Sequence, residues 1–161
     1  METLFRTDRS AFFNTVVRVV LAIVFFAHGS QKMLGWFGGS GFSKTVHYFT
    51  TQGHLPMIAA VLVVLAEFFG SIGLFFGFLT RIAALGICGV MIGAIAMVHA
   101  PNGFFMNWTG HQGGEGFEYH LLVLAMAAPL FVWGAGALSV DGAIYERLLR
   151  RRGAFRRRAT V

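Results

Sequence analysis

The chain has 161 residues, of which 56% are hydrophobic and only 12% are charged, and its mean hydropathy is +0.67. Because soluble domains carry about a quarter charged residues, this composition excludes a domain that faces water on all sides. The net charge of +6 is distributed as at a membrane surface, and nucleic-acid binding is the weaker alternative. The single cysteine, Cys88, excludes an intramolecular disulfide and a CxxC dithiol.

Four apolar segments are long enough to span a bilayer, which takes about 20 residues. They cover residues 12–34, 57–79, 82–100 and 121–138. Pro56 suits a first helical turn, Pro101 ends the third segment, and Pro129 predicts a kink in the fourth. The sequence therefore predicts an all-α polytopic membrane protein, a bundle of four transmembrane helices.

The loops between these segments predict one more helix. Phe42, Val46 and Phe49 recur at i, i+4 and i+7, which indicates a short helix on the outer interface. Trp36 and Trp108 fit an interfacial aromatic belt better than a ligand platform.

Positive charges predict the orientation. With four spans, both termini lie on the side that also holds Arg6, Arg9 and Arg81, whereas the opposite side holds only Lys32 and Lys44. By the positive-inside rule, we expect both termini in the cytoplasm of a bacterial cell and the protein in its inner (plasma) membrane.

The C-terminal segment predicts a separate unit. We divide the chain into a membrane domain, residues 1–141, and a cytoplasmic basic tail, residues 142–161. Ile144, Leu148 and Leu149 share one side of a helix, which favours binding to anionic lipids. The candidate lipid-binding residues are Arg147, Arg150, Arg151, Arg152, Arg156, Arg157 and Arg158.

Two charged residues lie inside the predicted spans. Glu67 is the eleventh of the 23 residues from Met57 to Leu79, close to the midplane, and Arg18 lies in the first span. Because a lone charge there is costly, we predict that Arg18 and Glu67 form a structural ion pair. The alternative is a carboxylate that carries protons or holds a polar head group.

The histidines fall near the outer ends of the predicted spans. His28, Gln31 and Lys32 share one helix face, His99 ends the third span, and His120 opens the fourth beside Glu118. We expect His28, His99 and Glu118 to share a polar pocket. His47, His54 and His111 fit the membrane interface.

Three ligands suit such a pocket to different degrees. Haem needs a histidine pair deep in the span, which is lacking, and a metal site from His99, His120 and Glu118 has no recognised spacing. A quinone needs only hydrogen-bond donors, an aromatic wall and access from the membrane, so it fits best, and we assign no metal. The candidate ligand-binding residues are His28, Gln31, Lys32, Glu67, His99, Asn102, Glu118, Tyr119 and His120.

Several motifs in register resemble the DoxX family. They are residues 27–39 (AHGSQKMLGWFGG), Gly41-Phe42, residues 65–70 (LAEFFG), residues 79–84 (LTRIAA), and residues 102–105 (NGFF) with 116–119 (GFEY). The resemblance covers about Val17 to Asp141 and has no counterpart for the arginine-rich end. At His120 the family pattern has Asn, which places the role of this residue in question.

The resemblance implies a four-helix membrane bundle and quinone-linked redox work. The family takes its name from a membrane subunit of a thiosulfate:quinone oxidoreductase, and other members are associated with redox-stress complexes. No catalytic residues are assigned by it. The matching positions are His28, Gln31, Lys32, Glu67, Arg81, Asn102, Glu118 and Tyr119.

Three functions remain open at this point. The first is a subunit of a quinone-linked oxidoreductase that receives electrons from a soluble or membrane redox partner. The second is a non-catalytic membrane protein: a small-molecule carrier, for which a homodimer would be needed, or an assembly scaffold for a partner complex. The third is structural anchoring, with the basic tail recruiting lipids or a soluble partner.

Overall fold

A computed structural model describes residues 2–8 and 11–159, with the side chains of residues 3–8 and 11–150. All regular elements in these residues are helical. The seven α-helices are α1 (Glu2–Phe5), α2 (Phe12–Leu34), α3 (Phe42–Thr51), α4 (Met57–Phe76), α5 (Thr80–Ala94), α6 (Glu118–Trp133) and α7 (Val140–Ala159). A π-helical turn (Ile95–His99) and a 3-10 turn (Ala100–Asn102) extend α5, and a second 3-10 turn (Trp36–Gly38) follows α2.

The helical character predicted from the sequence is confirmed, and three spans have the length and apolarity to cross a membrane. They are Phe12–Leu34, Met57–Phe76 and the continuous run Thr80–Asn102. The fourth helix, α6, has 16 residues, which correspond to about 24 Å at a rise of 1.5 Å per residue. By length alone, α6 is shorter than the others and than the bilayer core.

The structure moves the boundaries of two predicted apolar segments, and each of them ends before a glycine with positive φ. The second segment ends at Phe76 because Gly77 adopts a left-handed conformation with φ of 63°. The amide of Phe78 then donates to the carbonyl of Gly73 (2.8 Å), which closes the helix end. The fourth segment begins at Glu118, three residues before the predicted Leu121. It ends at Trp133, before Gly134, whose φ is 86°.

The four long helices form a closed ring around one core. α2 packs against α4 and α6, and α5 packs against the same two helices. Leu21, Phe25, Leu74, Ile87 and Leu130 fill the interior. The short helix α3, which the sequence predicted, packs against the start of α4 through Val46.

The outer surface of this ring is apolar. Large hydrophobic side chains are exposed on each long helix, among them Ile23, Leu62, Phe69, Ile92 and Leu122. Contiguous exposed apolar surface of this kind is unfavourable in water and suits contact with lipid. The helices therefore bury one face in the bundle and present the other to a membrane.

The basic tail is helical and starts before its predicted boundary. α7 begins at Val140, so a division between residues 141 and 142 falls inside its first turn. Arg147 and Arg150 are exposed. The side chains of Arg151, Arg152, Arg156, Arg157 and Arg158, and all of Arg9, lie outside the described residues.

Candidate functional site

The two ends of the bundle hold different polar groups. The end with Lys32, His99 and His120 is called here the histidine end. The opposite end, where α1 and α7 lie, is called the terminal end.

The buried carboxylate of α4 pairs with a lysine of α2. Gly29 allows the two helices to approach closely, because a Cβ at this position would lie 2.7 Å from Cα of Phe68. Lys32 is one turn further along α2, and its Nζ forms an ion pair with Oε2 of Glu67. The side chain of Glu67 is 4% exposed and that of Lys32 is 27% exposed. A buried carboxylate thus connects through its partner to the edge of the bundle.

The predicted ion pair between Arg18 and Glu67 is wrong. Arg18 is 11 residues before Gly29 on α2, about 16 Å along the helix axis, so it faces the last turn of α4 at the terminal end. Its guanidinium is buried and donates to five main-chain carbonyls, those of Leu74 (2.8 Å), Phe75 (2.5 Å), Ala135 (3.0 Å), Ala137 (3.3 Å) and Leu138 (2.7 Å). Arg18 therefore satisfies carbonyls at the end of α4 and in the α6–α7 loop.

A buried aspartate, missed in the sequence, completes the terminal end. Asp141 accepts hydrogen bonds from the amides of Leu79 (2.8 Å) and Thr80 (2.9 Å), which open α5. Its own amide donates to the carbonyl of Gly77 (2.9 Å). An acidic side chain at a helix N-terminus is a favourable cap. Asp141 thereby ties α7 to the α4–α5 turn.

Two buried polar atoms on successive residues of α6 have no hydrogen-bond partner within the described residues. They are Oη of Tyr119 and Nδ1 of His120. Glu67 lies within electrostatic range of Tyr119. Buried polar atoms in proteins are nearly always hydrogen-bonded, so these two atoms on neighbouring residues are candidates for contact with a polar ligand group.

A second histidine joins this group from the end of α5. The ring centroids of His99 and His120 are 4.1 Å apart, and those of Tyr119 and His120 are 5.5 Å apart. Nδ1 of His99 lies 2.8 Å from the carbonyl oxygen of Glu115, which anchors the ring to the α5–α6 loop. The result is a row of polar side chains across the histidine end: Lys32, Glu67, Tyr119, His120 and His99. We call this row the polar cluster.

The other predicted ligand residues are placed outside the cluster. His28 is exposed, and Gln31 donates to the carbonyl of Phe37 (3.3 Å). Asn102 donates to the carbonyl of Glu115 (3.1 Å), and Glu118 accepts from Nε1 of Trp108 (3.2 Å). The expected shared pocket of His28, His99 and Glu118 is therefore not formed, because Glu118 points toward the loop tryptophan. Asn102 and Gln31 stabilise loops.

The described side chains do not form a cluster of metal ligands. Within residues 2–8 and 11–159, no group of three or more His, Cys, Asp or Glu side chains is placed to hold a metal ion.

A shallow groove of about 400 Å³ lies at the terminal end, far from the polar cluster. The rings of Phe26 on α2 and Phe68, the residue after Glu67 on α4, stack with centroids 5.8 Å apart.

The apolar spans, the apolar outer surface and the buried polar groups define a helical membrane protein. Comparison with known proteins gives the family. The DoxX family model matches residues 13–100. The chain belongs to the DoxX family, as its motifs suggested.

Three relatives show what this chain resembles. It is 30% identical over 131 residues to "Putative oxidoreductase CatD" of Bacillus subtilis (strain 168), covering 81% of this chain and 86% of the relative. It is 29% identical over 126 residues to "Inner membrane protein YqjF" of Escherichia coli (strain K12), covering 78% and 87%. It is 27% identical over 130 residues to "Inner membrane protein YphA" of the same strain, covering 78% and 86%. No solved structure gives a significant match.

Proposed function

We propose that this chain is an integral membrane subunit of a quinone-linked oxidoreductase system, and that quinone, or a small molecule with the same hydrogen-bonding groups, binds at the polar cluster. The observation that carries the proposal is the pair of buried, unpartnered atoms, Oη of Tyr119 and Nδ1 of His120. The relative named "Putative oxidoreductase CatD" supports the reaction class.

The chemistry of the cluster suits a quinone head group. A quinone carbonyl accepts hydrogen bonds, and a tyrosine hydroxyl donates one. Nδ1 of a histidine donates or accepts according to its tautomer, so His120 serves the carbonyl of a quinone or the hydroxyl of a quinol. We assign the apolar wall to the stacked rings of Phe26 and Phe68, the residue after Glu67.

Reduction of a quinone to a quinol takes up two electrons and two protons. The electrons come from a redox partner protein in this proposal, since the chain has one cysteine and thus no dithiol of its own. The residues of this chain donate and accept the protons. Glu67 and Lys32 form one exchangeable pair, and His120 and His99 lead from the buried cluster toward the α5–α6 loop.

The proposal includes four spans, with α6 as the fourth. Leu122 (65% exposed) and Trp133 (61% exposed) present apolar surface near the two ends of α6, which supports lipid contact along its length. Four spans bring both termini, Arg81 and the basic α7 to one side, and the positive-inside rule makes that side the cytoplasm. Two relatives named as inner membrane proteins support a bacterial inner membrane.

We also propose membrane lipids as partners of the arginines of α7, and a homodimer through α5. Among the described residues, a Cβ added at Gly89 or Gly93 would have no neighbour within 4 Å outside the adjacent backbone of its own helix. These two glycines form a small-xxx-small pattern that permits close approach of a second helix. The Gly73–Gly77 pattern, in contrast, is used within the chain, against Phe78 and Ser139.

Equilibrium binding of a short-chain quinone to the purified protein in nanodiscs tests the site. Tyr119→Phe removes one donor and His120→Leu removes the second group. The matched controls are Tyr48→Phe, on the exposed face of α3, and His111→Leu, in an exposed loop. Each cluster variant should weaken binding about five- to tenfold, because one hydrogen bond contributes about 1 to 1.5 kcal/mol.

Two outcomes would contradict the proposal. Equal quinone affinity in the cluster variants and the control variants would contradict quinone binding at the polar cluster. Ligand-dependent flux into vesicles with no redox change would favour the carrier function instead.

A further inference from the structure

The shallow groove at the terminal end has a mixed lining. Its walls come from α1, the first turns of α5 and the last turn of α6. The lining residues are Thr3, Leu4, Arg81, Ile82, Leu85 and Phe131. Most of the wall is apolar, and Ile82, Leu85 and Phe131 are each more than 40% exposed, so the groove is open along the surface of the bundle.

Arg81 is the one charged residue of this lining. Its Nη1 donates to the carbonyl of Phe131 (2.7 Å) and its Nη2 to the carbonyl of Arg6 (3.0 Å). Nε is buried and has no partner within the described residues, and the guanidinium forms no ion pair with a described carboxylate. One N–H of Nη1 and one of Nη2 are also without a partner in that part of the chain, so two donors remain besides the buried Nε. The nearby Asp141 accepts main-chain amides and no hydrogen bond from Arg81.

We propose that this groove binds an anionic glycerophospholipid, with the phosphate at Arg81 and an acyl chain along Ile82, Leu85 and Phe131. Charge complementarity selects an anionic head group, and the apolar wall selects a chain that a free phosphate lacks. Basic pockets between membrane helices near the cytoplasmic side are typical sites for such lipids. This site is separate from the polar cluster and does not depend on quinone binding there.

The position of the groove strengthens the assignment. α1, one wall of the groove, packs against α7, and Arg147 and Arg150 of α7 are exposed. An anionic lipid at Arg81 therefore lies on the side of the bundle where the arginines accumulate. We expect the lipid to hold α1 and the start of α5 together.

Native mass spectrometry of the purified protein with phosphatidylglycerol or phosphatidylcholine tests the site. Arg81→Gln removes the charge, and Leu85→Trp fills the groove while keeping Arg81. The controls are Lys44→Gln, on exposed α3, and Leu62→Trp, on the exposed face of α4. The native chain should retain a bound phosphatidylglycerol in preference to phosphatidylcholine. One arginine near a lipid surface contributes about 1 kcal/mol, so Arg81→Gln should lower this retention about fivefold.

These variants distinguish lipid bound in the groove from lipid bound nonspecifically to the rest of the protein surface. Leu85→Trp should also lower phosphatidylglycerol retention, and the two control variants should match the native chain. If Arg81→Gln does not fold, the comparison of Leu85→Trp with Leu62→Trp decides. Equal retention of the two lipids by the native chain, or equal retention by Leu85→Trp and Leu62→Trp, would overturn the proposal.

Discussion

Replacing the buried ion pair of α2 and α4 with methionine gives a quantitative test of the packing. Lys32→Met leaves the carboxylate of Glu67, 4% exposed, without its cation, which should cost about 3 to 5 kcal/mol of unfolding free energy. Glu67→Met leaves Lys32, whose side chain is 27% exposed and can reach water, so we expect a cost of about 1 to 2 kcal/mol. The double variant leaves neither charge and should lie within about 1 kcal/mol of the native chain.

Unfolding of the purified protein by sodium dodecyl sulfate in dodecyl maltoside micelles, followed by circular dichroism, measures these free energies. The coupling energy between the two substitutions should be at least about 3 kcal/mol. The control cycle combines Glu67→Met with Lys44→Met on exposed α3 and should be additive within about 0.5 kcal/mol. Additivity of Lys32→Met with Glu67→Met, or strong coupling of Glu67→Met to Arg18→Lys instead, would refute the pairing described above.

The remaining predictions use the same unfolding measurement. Gly29→Ala places a Cβ 2.7 Å from Cα of Phe68 and should cost about 1 to 3 kcal/mol, whereas Gly70→Ala, whose Cβ would have its nearest neighbours at 3.9 Å, should be neutral or stabilising. Asp141→Ala leaves two amides at the start of α5 without an acceptor, for a loss of about 2 to 4 kcal/mol; a loss below that of an exposed alanine substitution would contradict its capping role. Arg18→Lys reduces five donated hydrogen bonds to at most three, for a loss of about 2 to 3 kcal/mol; native stability in this variant would show that the carbonyl contacts are dispensable.

Hydropathy and length predicted the three long spans, but not which buried charges meet. The sequence required a partner for Glu67, because a lone charge in a span is costly. It did not give the register of α2 against α4, which is set by the close approach at Gly29. That contact places Lys32 beside Glu67, whereas Arg18 lies about three helical turns from Gly29 along α2. The register of two helices depends on tertiary packing, and for that reason the predicted pairing of Arg18 with Glu67 is wrong.

Only part of the polar cluster could be predicted from the sequence, because the rest also depends on tertiary packing. His99 and His120 end and open their helices, so a shared level followed from the spans. Their contact depends on the loop between them, in which the amide of Glu118 donates to the carbonyl of Phe104 (2.9 Å). That loop also turns the Glu118 side chain toward Trp108. The role of Asp141 could not be predicted, because the sequence does not show that its carboxylate reaches the α4–α5 turn.

The most direct test of the quinone proposal is an oxidised-minus-reduced absorbance spectrum of the protein extracted with its native lipids, from the ultraviolet through the visible. We predict a quinone difference signal in stoichiometric amount, which Tyr119→Phe lowers and Tyr48→Phe leaves unchanged. A flat difference spectrum in the native chain, or an equal signal in the two variants, would contradict quinone binding at the polar cluster.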